Sequence, residues 1–248
     1  MNAAVIYETG DPEVLRYEEV RDPDCQDGFV VVDAEAISVE GGDLLARAEG
    51  PLPAVPHVLG YLSAGTVSEV GAGVEDRAVG DRVVALFAAG SHAERRALPA
   101  AMTWPIPAGL DAARAACVPV AFGTANECLL TLAEGQTVLI HGGAGGVGMA
   151  AIQLAKRAGA TVIATASSDE KLERLKALGL DHGINSATGD VAARVNELTG
   201  GRGVDLVIDP VGGRTLVDSV ALLAWRGTLV SVGMAARAGS TIAAHTLW

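Results

Sequence analysis

The residues best placed to do chemistry are glycines. Gly143, Gly145 and Gly148 lie in the run His141–Gly148 (HGGAGGVG) and satisfy the spacing G-x-G-x-x-G. They follow the apolar run Thr137–His141 (TVLIH) and open the stretch Gly146–Ala158 (GVGMAAIQLAKRA), which reads as a helix stopped by Gly159. In a strand, tight turn and helix of this kind the first glycine makes the turn. The second lets the backbone approach a pyrophosphate, and the third lets the helix pack on the strand. Free amides at the head of the helix bind the anion, with Ala144, Gly146 and Val147 completing the cradle. The expected ligand is a dinucleotide. The competing reading is a glycine-rich turn kept for packing alone.

The end of the next strand, Thr161–Ala166, bears on which dinucleotide binds. An NAD site usually places Asp or Glu there to hold the ribose 2′-hydroxyl. This chain reads Thr165-Ala166-Ser167-Ser168, without an acid. Losing the carboxylate removes its repulsion of a 2′-phosphate, and Lys171 one helical turn on supplies positive charge. NADPH is therefore favoured. Two features pull the other way: Ser167-x-x-Glu170 reads as a capping box, and Asp169 and Glu170 place negative charge near the proposed phosphate.

The elements that position these residues come in two textures. Up to about residue 115, short Val/Ile/Ala runs broken by Gly, Pro and Asp predict a β-rich domain: Ala3–Tyr7, Phe29–Ile37, Gly65–Val70 and Asp81–Leu86. From about residue 120 strands alternate with helices. The strands are the two already named, His182–Asn185, Val204–Asp209 and Thr228–Val232. The further helices are Asp169–Leu178, Val191–Leu198 and Leu216–Ala224. That order predicts parallel βαβ units. The expected fold class is α/β, with a β-rich domain over 1–120 and a doubly wound parallel sheet over 121–248. Five strands are visible where six are expected, and the apolar end Thr246-Leu247-Trp248 has no helix to close it, so the second domain reads as truncated.

Composition narrows the partners. The chain has 248 residues, half of them hydrophobic, and a net charge of −12, with 15 arginines and only three lysines among its basic residues. No basic cluster offsets the acidity, which argues against nucleic acid. Cys25, Cys117 and Cys128 show no C-x-x-C spacing, so neither a disulfide framework nor a structural zinc site is expected. The start MNAAVIYETG has no signal-peptide pattern and no long apolar run reads as a membrane span. A cytoplasmic location is expected.

Several stretches together resemble the medium-chain dehydrogenase/reductase superfamily, in its zinc-independent quinone oxidoreductase (zeta-crystallin-like) branch. The carriers are Gly60–Gly71 (GYLSAGTVSEVG), Val79–Val84 (VGDRVV), Ala93-Glu94, Phe122–Ala125 (FGTA), Val138–Gly148, Lys176–Gly179 (KALG) and Gly203–Gly213 (GVDLVIDPVGG). The resemblance runs from Met1 to about Val232. It implies a GroES-like catalytic domain followed by a Rossmann domain, with the active site in the cleft between them.

The resemblance also implies residue roles. Positions that hold zinc in zinc-dependent relatives fall near Glu40, Tyr61 and Gly123, so no metal is expected. His57 and His92 are left with surface or capping roles. Glu40, Asp43 and Thr124 become the catalytic candidates, Glu40 standing where relatives offer Asn to the substrate. Asp43 also reads as the cap of a helix starting at Leu44. Leu62 occupies a position usually held by an acid. Ser186 stands where some relatives set a Tyr against the 2′-phosphate. Val211, Gly212, Val232 and Gly233 are carried over as cofactor contacts.

The implied reaction is hydride transfer from NADPH to a quinone or to the β-carbon of an enone or enal. The partner is thus a small, apolar, carbonyl-conjugated molecule. An enoyl thioester of polyketide or fatty-acid type is the alternative substrate, and a non-catalytic, truncated cofactor-binding protein the alternative role. A homodimer is implied, weakened if the sixth strand is absent.

Overall fold

The computed structural model describes residues 1–242, and the expectation placed on Thr246-Leu247-Trp248 lies outside the described residues. The chain divides into two compact units, Met1–Val120 and a second beginning at Ala121.

The first unit is β-rich. Its strands are β1 (Asn2–Ile6), β2 (Arg16–Glu19), β3 (Phe29–Ser38), β4 (His57–Val58), β5 (Leu62–Val70), β6 (Arg82–Leu86), β7 (Arg95–Pro99) and β8 (Thr103–Pro105). They form an antiparallel three-stranded sheet, β2-β1-β4, and an antiparallel five-stranded sheet, β7-β3-β5-β6-β8. Helix α1 (Gly41–Ala48) follows β3, and α2 (Ala112–Ala116) follows β8. Alternation along β3 and its partners splits the core. Val30, Val32, Val67, Val83 and Leu98 pack on one face of the larger sheet, whereas Ala64, Val84 and Ile106 meet α2 on the other. Gly65 lies where β5 crosses β3: a Cβ there would sit 1.9 Å from the Asp33 carbonyl oxygen, so no larger residue fits.

The second unit is an open parallel sheet. After α3 (Val118–Cys128), which begins in the first unit, come β9 (Thr137–Ile140), α4 (Gly146–Arg157), β10 (Thr161–Ala166), α5 (Asp169–Lys176), β11 (His182–Asn185), α6 (Val191–Thr199), β12 (Val204–Asp209), α7 (Arg214–Val220) and β13 (Leu223–Ser231). The order is β11-β10-β9-β12-β13, all parallel. It reverses between β10 and β12 on either side of β9, which is where such sheets bind ligands at the carboxyl ends of their strands. The strands are apolar on both faces because helices cover both. Val138, Ile140, Val162, Ala164 and Ile208 pack with α4 and α5, while Leu139, Ile163, Val207 and Val195 of α6 form the opposite layer.

One boundary differs from the sequence expectation. The helix placed at Leu216–Ala224 is Arg214–Val220, and the last strand begins at Leu223 rather than Thr228. Between Val204 and Leu206 the pairing with β13 jumps from Leu223 to Thr228, and the extra residues bulge at Arg226, whose φ is 65°. The apolar Leu222–Trp225 run is short enough for either element, and the pairing of Leu223 with Val204 of β12 draws it into the strand.

Candidate active site

The glycine-rich turn joins β9 to α4. Four glycines divide the work, and not in the order expected. The left-handed residue is Gly142, with φ 58°, so the turn is made one residue before Gly143. At Gly143 a Cβ would meet Ala164 Cβ at 2.9 Å, and at Gly148 it would meet Gly142 O at 2.5 Å and Gly143 Cα at 2.7 Å. These two glycines are required by packing of the turn and helix. Gly145 is less constrained: a Cβ there would lie 3.3 Å from Gly142 O, a tight contact that the turn would have to ease by a few tenths of an ångström. Gly145 is also the N-cap of α4 and has no side chain to satisfy the first-turn amides. Both Gly145 and Gly146 are exposed, while Ala144 and Val147 are half-buried against the core. The result is an open cradle of amide donors at the positive end of a helix, the shape and charge that a pyrophosphate fits.

At the end of β10, Ser168 rather than Ser167 caps α5, accepting the Lys171 amide at 3.4 Å. The capping box expected of Ser167 and Glu170 does not form, because the cap falls one residue later, where the third helical residue is Lys171. Ser167 is exposed, and Lys171 Nζ donates to its Oγ at 3.1 Å. Ser186 lies alongside, its Oγ donating to the Ala166 carbonyl at 3.2 Å. The two acids that opposed a phosphate are engaged elsewhere: Asp169 accepts from Asn185 Nδ2 at 3.0 Å and Glu170 from Arg174 at 2.8 Å.

The ends of β12 and β13 bring Val211, Gly212, Val232 and Gly233 together. A Cβ on Gly212 would lie 3.3 Å from Gly233 O, and one on Gly233 would lie 2.7 Å from Pro210 O. The buried Asp209 carboxylate ties this turn, its Oδ1 accepting the Val211 and Gly212 amides at 2.7 and 2.9 Å. Sequence reasoning passed over Asp209. Its signal was an acid ending an otherwise apolar strand. Thr124 is half-buried on α3, one residue before the buried Ala125.

In the first unit, Glu40 and Asp43 are brought together at the head of α1, but Asp43 does not cap a helix starting at Leu44. The helix starts at Gly41 with Glu40 as N-cap, and Asp43 reaches back from its first turn to accept the Glu40 amide at 2.8 Å. Glu40 Oε1 in turn accepts from Ser38 Oγ at 2.7 Å. Asp43 is 4% exposed.

Beneath it lies a polar group that the sequence reading missed or misplaced. His92, expected in a surface or capping role, has a side chain only 11% exposed, with Nε2 3.7 Å from Asp43 Oδ2. Burial pushes its imidazole below the usual range, against the pull of Asp43. Arg96 is buried and donates to the carbonyls of Tyr61, Phe87 and Ala89 at 3.1, 2.7 and 2.8 Å. Burial and the Asp43 and Glu40 carboxylates push the Tyr61 phenol up to about 12. Asp43 and His92 also line a cavity of about 570 Å³ in this unit, whose other walls include Ile37, Val39, Leu44 and Leu59.

The residues at the zinc-aligned positions do not suit zinc. Glu40 is committed to Ser38 and the helix head, Tyr61 keeps its proton, and Gly123 has no side chain. Among the described residues no group of three or more His, Cys, Asp or Glu side chains could hold a metal ion. Also among the described residues, no helix is long and apolar enough to cross a membrane.

Comparison with known proteins bears on all of this. The alcohol dehydrogenase GroES-like domain family matches residues 26–108, and the zinc-binding dehydrogenase family matches residues 146–248. A 2-haloacrylate reductase from a Burkholderia species is 38% identical over 243 residues, covering 94% of this chain and 73% of that protein. An erythronolide synthase from Saccharopolyspora erythraea is 44% identical over 211 residues, covering 83% of this chain and 6% of that much longer protein. The crystal structure of Escherichia coli quinone oxidoreductase complexed with NADPH superposes with a TM-score of 0.94 at 31% identity, over all of this chain and 77% of that one. With its zinc-aligned positions filled by Glu, Tyr and Gly, the chain belongs to the medium-chain dehydrogenase/reductase superfamily, in the zinc-independent quinone oxidoreductase branch, and is an NADPH-dependent oxidoreductase.

Proposed function

We propose that this chain reduces a quinone or a carbon–carbon double bond conjugated to a carbonyl, using NADPH and no zinc. The observation that carries the reading is the exposed amide cradle at Gly145 and Gly146, together with the Lys171–Ser167 pair where an NAD site would keep an acid. When bound, NADPH supplies the hydride. The chain's own work is binding and placement. The amides of Gly145–Gly148 and Ala144 hold the pyrophosphate, and Ser167, Lys171 and Ser186 face the 2′-phosphate. Val211, Gly212, Val232 and Gly233 form the far wall of the nucleotide site.

On the substrate side Glu40 and Thr124 are the contacts. Asp43, buried and bonded to the Glu40 amide, is a positioning residue for Glu40. Negative charge that develops on the substrate oxygen is met by hydrogen-bond donors rather than by a metal. The setting we infer is the cytoplasm, and the assembly a homodimer. The test is a titration of the 248-residue chain with NADPH and NADH followed by nicotinamide fluorescence, then a panel of quinones, enones and enals. Micromolar NADPH binding, much weaker NADH binding and turnover on that panel support the reading. Binding without turnover favours the non-catalytic role.

A second reading keeps the chemistry and changes the substrate to an enoyl thioester. The likeness to the erythronolide synthase supports it. Preference for a crotonyl thioester over free enones selects it.

A further inference from the structure

The imidazole of His141 is not used by the site as described above. It is 4% exposed and directly follows β9, at the start of the glycine-rich turn. Its main chain is tied to β12 through the Ile208 carbonyl, at 2.9 Å. Its Nδ1 lies 3.3 Å from Thr165 Oγ1 on β10, and its Nε2 lies 2.9 Å from Ser219 Oγ on α7. Two further bonds make the proton count decidable. The Gly142 amide donates to Thr165 Oγ1 at 3.2 Å, and Ser219 Oγ lies 2.7 Å from the Thr215 carbonyl, four residues back on its helix.

A carbonyl oxygen cannot donate, so the Ser219 proton belongs on the line to Thr215. Ser219 Oγ is then left to accept from Nε2–H. Thr165 Oγ1 already accepts the Gly142 amide, and its own proton finds an acceptor in a bare Nδ1. The opposite tautomer would leave the Ser219 oxygen facing a carbonyl oxygen with no proton between them, and would strand the Thr165 hydroxyl proton.

We propose that His141 is a positioning residue for the cofactor: a neutral imidazole, protonated on Nε2, that locks the left-handed Gly142 turn to β10 and to α7. The chain of donors runs from the Gly142 amide to Thr165 Oγ1, from the Thr165 hydroxyl to His141 Nδ1, from Nε2–H to Ser219 Oγ, and from the Ser219 hydroxyl to the Thr215 carbonyl. Gly142 sets the direction of the cradle that follows it. Helix α7 begins at the glycine turn that ends in Gly213, so the link also ties the two edges of the nucleotide site together. The neighbouring charges are Asp209 on β12 and Asp218 on α7. Both pull the imidazole toward protonation, but burial outweighs them and keeps it neutral.

The proposal rests on the reading that the glycine-rich turn binds NADPH, and the experiment separates the two. Long-range proton–nitrogen NMR of the histidine-labelled full chain reads the tautomer without any cofactor. NADPH titration and amide exchange at Gly142 are then compared among wild type, Thr165→Ser and Thr165→Val. We expect an Nε2–H imidazole that is neutral at neutral pH. Thr165→Ser should bind NADPH as wild type does. Thr165→Val should raise the NADPH dissociation constant and KM about tenfold, with kcat nearly unchanged and faster Gly142 exchange. An Nδ1–H or doubly protonated ring at neutral pH overturns the proposal. So does a Thr165→Val chain that binds NADPH and exchanges Gly142 like wild type. A wild-type chain with the expected tautomer and no NADPH binding overturns the cofactor reading and the positioning role that depends on it.

Discussion

Lys171 Nζ donates to Ser167 Oγ at 3.1 Å, across the first turn of α5 at the end of β10. In the proposed cofactor site this ammonium faces the ribose 2′-position. Replacing Lys171 with Ala removes one charge-assisted contact to a phosphate. The NADPH dissociation constant should rise about tenfold, equivalent to about 1.4 kcal/mol. NADH binding should be unchanged. Parallel fluorescence titrations with the two cofactors check this, and equal loss of both would assign Lys171 to the helix alone.

Gly145 and Gly148 separate ligand approach from packing. Gly148→Ala would set a Cβ 2.5 Å from Gly142 O, inside the backbone of the turn, and should destabilise the fold by about 2 kcal/mol. Gly145→Ala meets Gly142 O at 3.3 Å, in extended backbone with φ −81°, a milder contact that should cost clearly less stability than Gly148→Ala. Its new methyl lies in the cradle, so NADPH binding should fall at least about tenfold. Melting curves and cofactor titrations of the two variants should therefore rank in opposite orders.

Arg96 holds the Tyr61, Phe87 and Ala89 carbonyls from inside the first unit. Burial pulls its guanidinium down to about 10, so it remains charged at neutral pH. Arg96→Met fills similar space but leaves the Phe87 and Ala89 carbonyls without a donor, while the Tyr61 carbonyl keeps the Phe87 amide. The expected cost is about 3 kcal/mol, seen as a melting temperature lower by about 10 °C. A variant that melts like wild type would show that water replaces the guanidinium.

His92 should make stability fall on acidification. Its folded-state pKa lies below the ordinary 6.5 because the ring is buried, although Asp43 pulls the other way and Arg96 adds to the depression. A depressed folded pKa means the unfolded chain binds the proton more readily. The stabilisation is present above pH 6.5 and is lost as the pH drops toward the folded value. His92→Gln cannot titrate, so its melting temperature should decline less than wild type between pH 7 and pH 5. Identical slopes would place the acid sensitivity elsewhere.

Periodicity and glycine spacing were enough to read the parallel sheet. Thr137–Ile140, Thr161–Ala166 and Val204–Asp209 are apolar on both faces, and the helices between them end at glycines, which are local signals. The last strand was misjudged because Leu222–Trp225 has no local mark to say it pairs with β12; only the bulge at Arg226 decides it. The role of Ser167 was blurred for a similar reason. Ser167 and Ser168 are equivalent as caps in sequence, and backbone geometry at the end of β10 gives the cap to Ser168.

By itself the sequence determined the chemistry on offer: a dinucleotide turn, no acid after the second strand, and no zinc ligands at the positions where relatives carry them. These are properties of residue type and short spacing. Tertiary structure alone decided which glycine turns and which faces the cradle, because that depends on where the folded turn sets its own Gly142 and Gly143 backbone and on the Ala164 and Leu175 side chains packed against Gly143. It also decided that His92, Asp43 and Arg96 share one buried group, and that His141, Thr165 and Ser219 form one hydrogen-bonded line. Those partners lie up to 78 residues apart in the chain, and no local pattern encodes a contact that only folding brings within 4 Å.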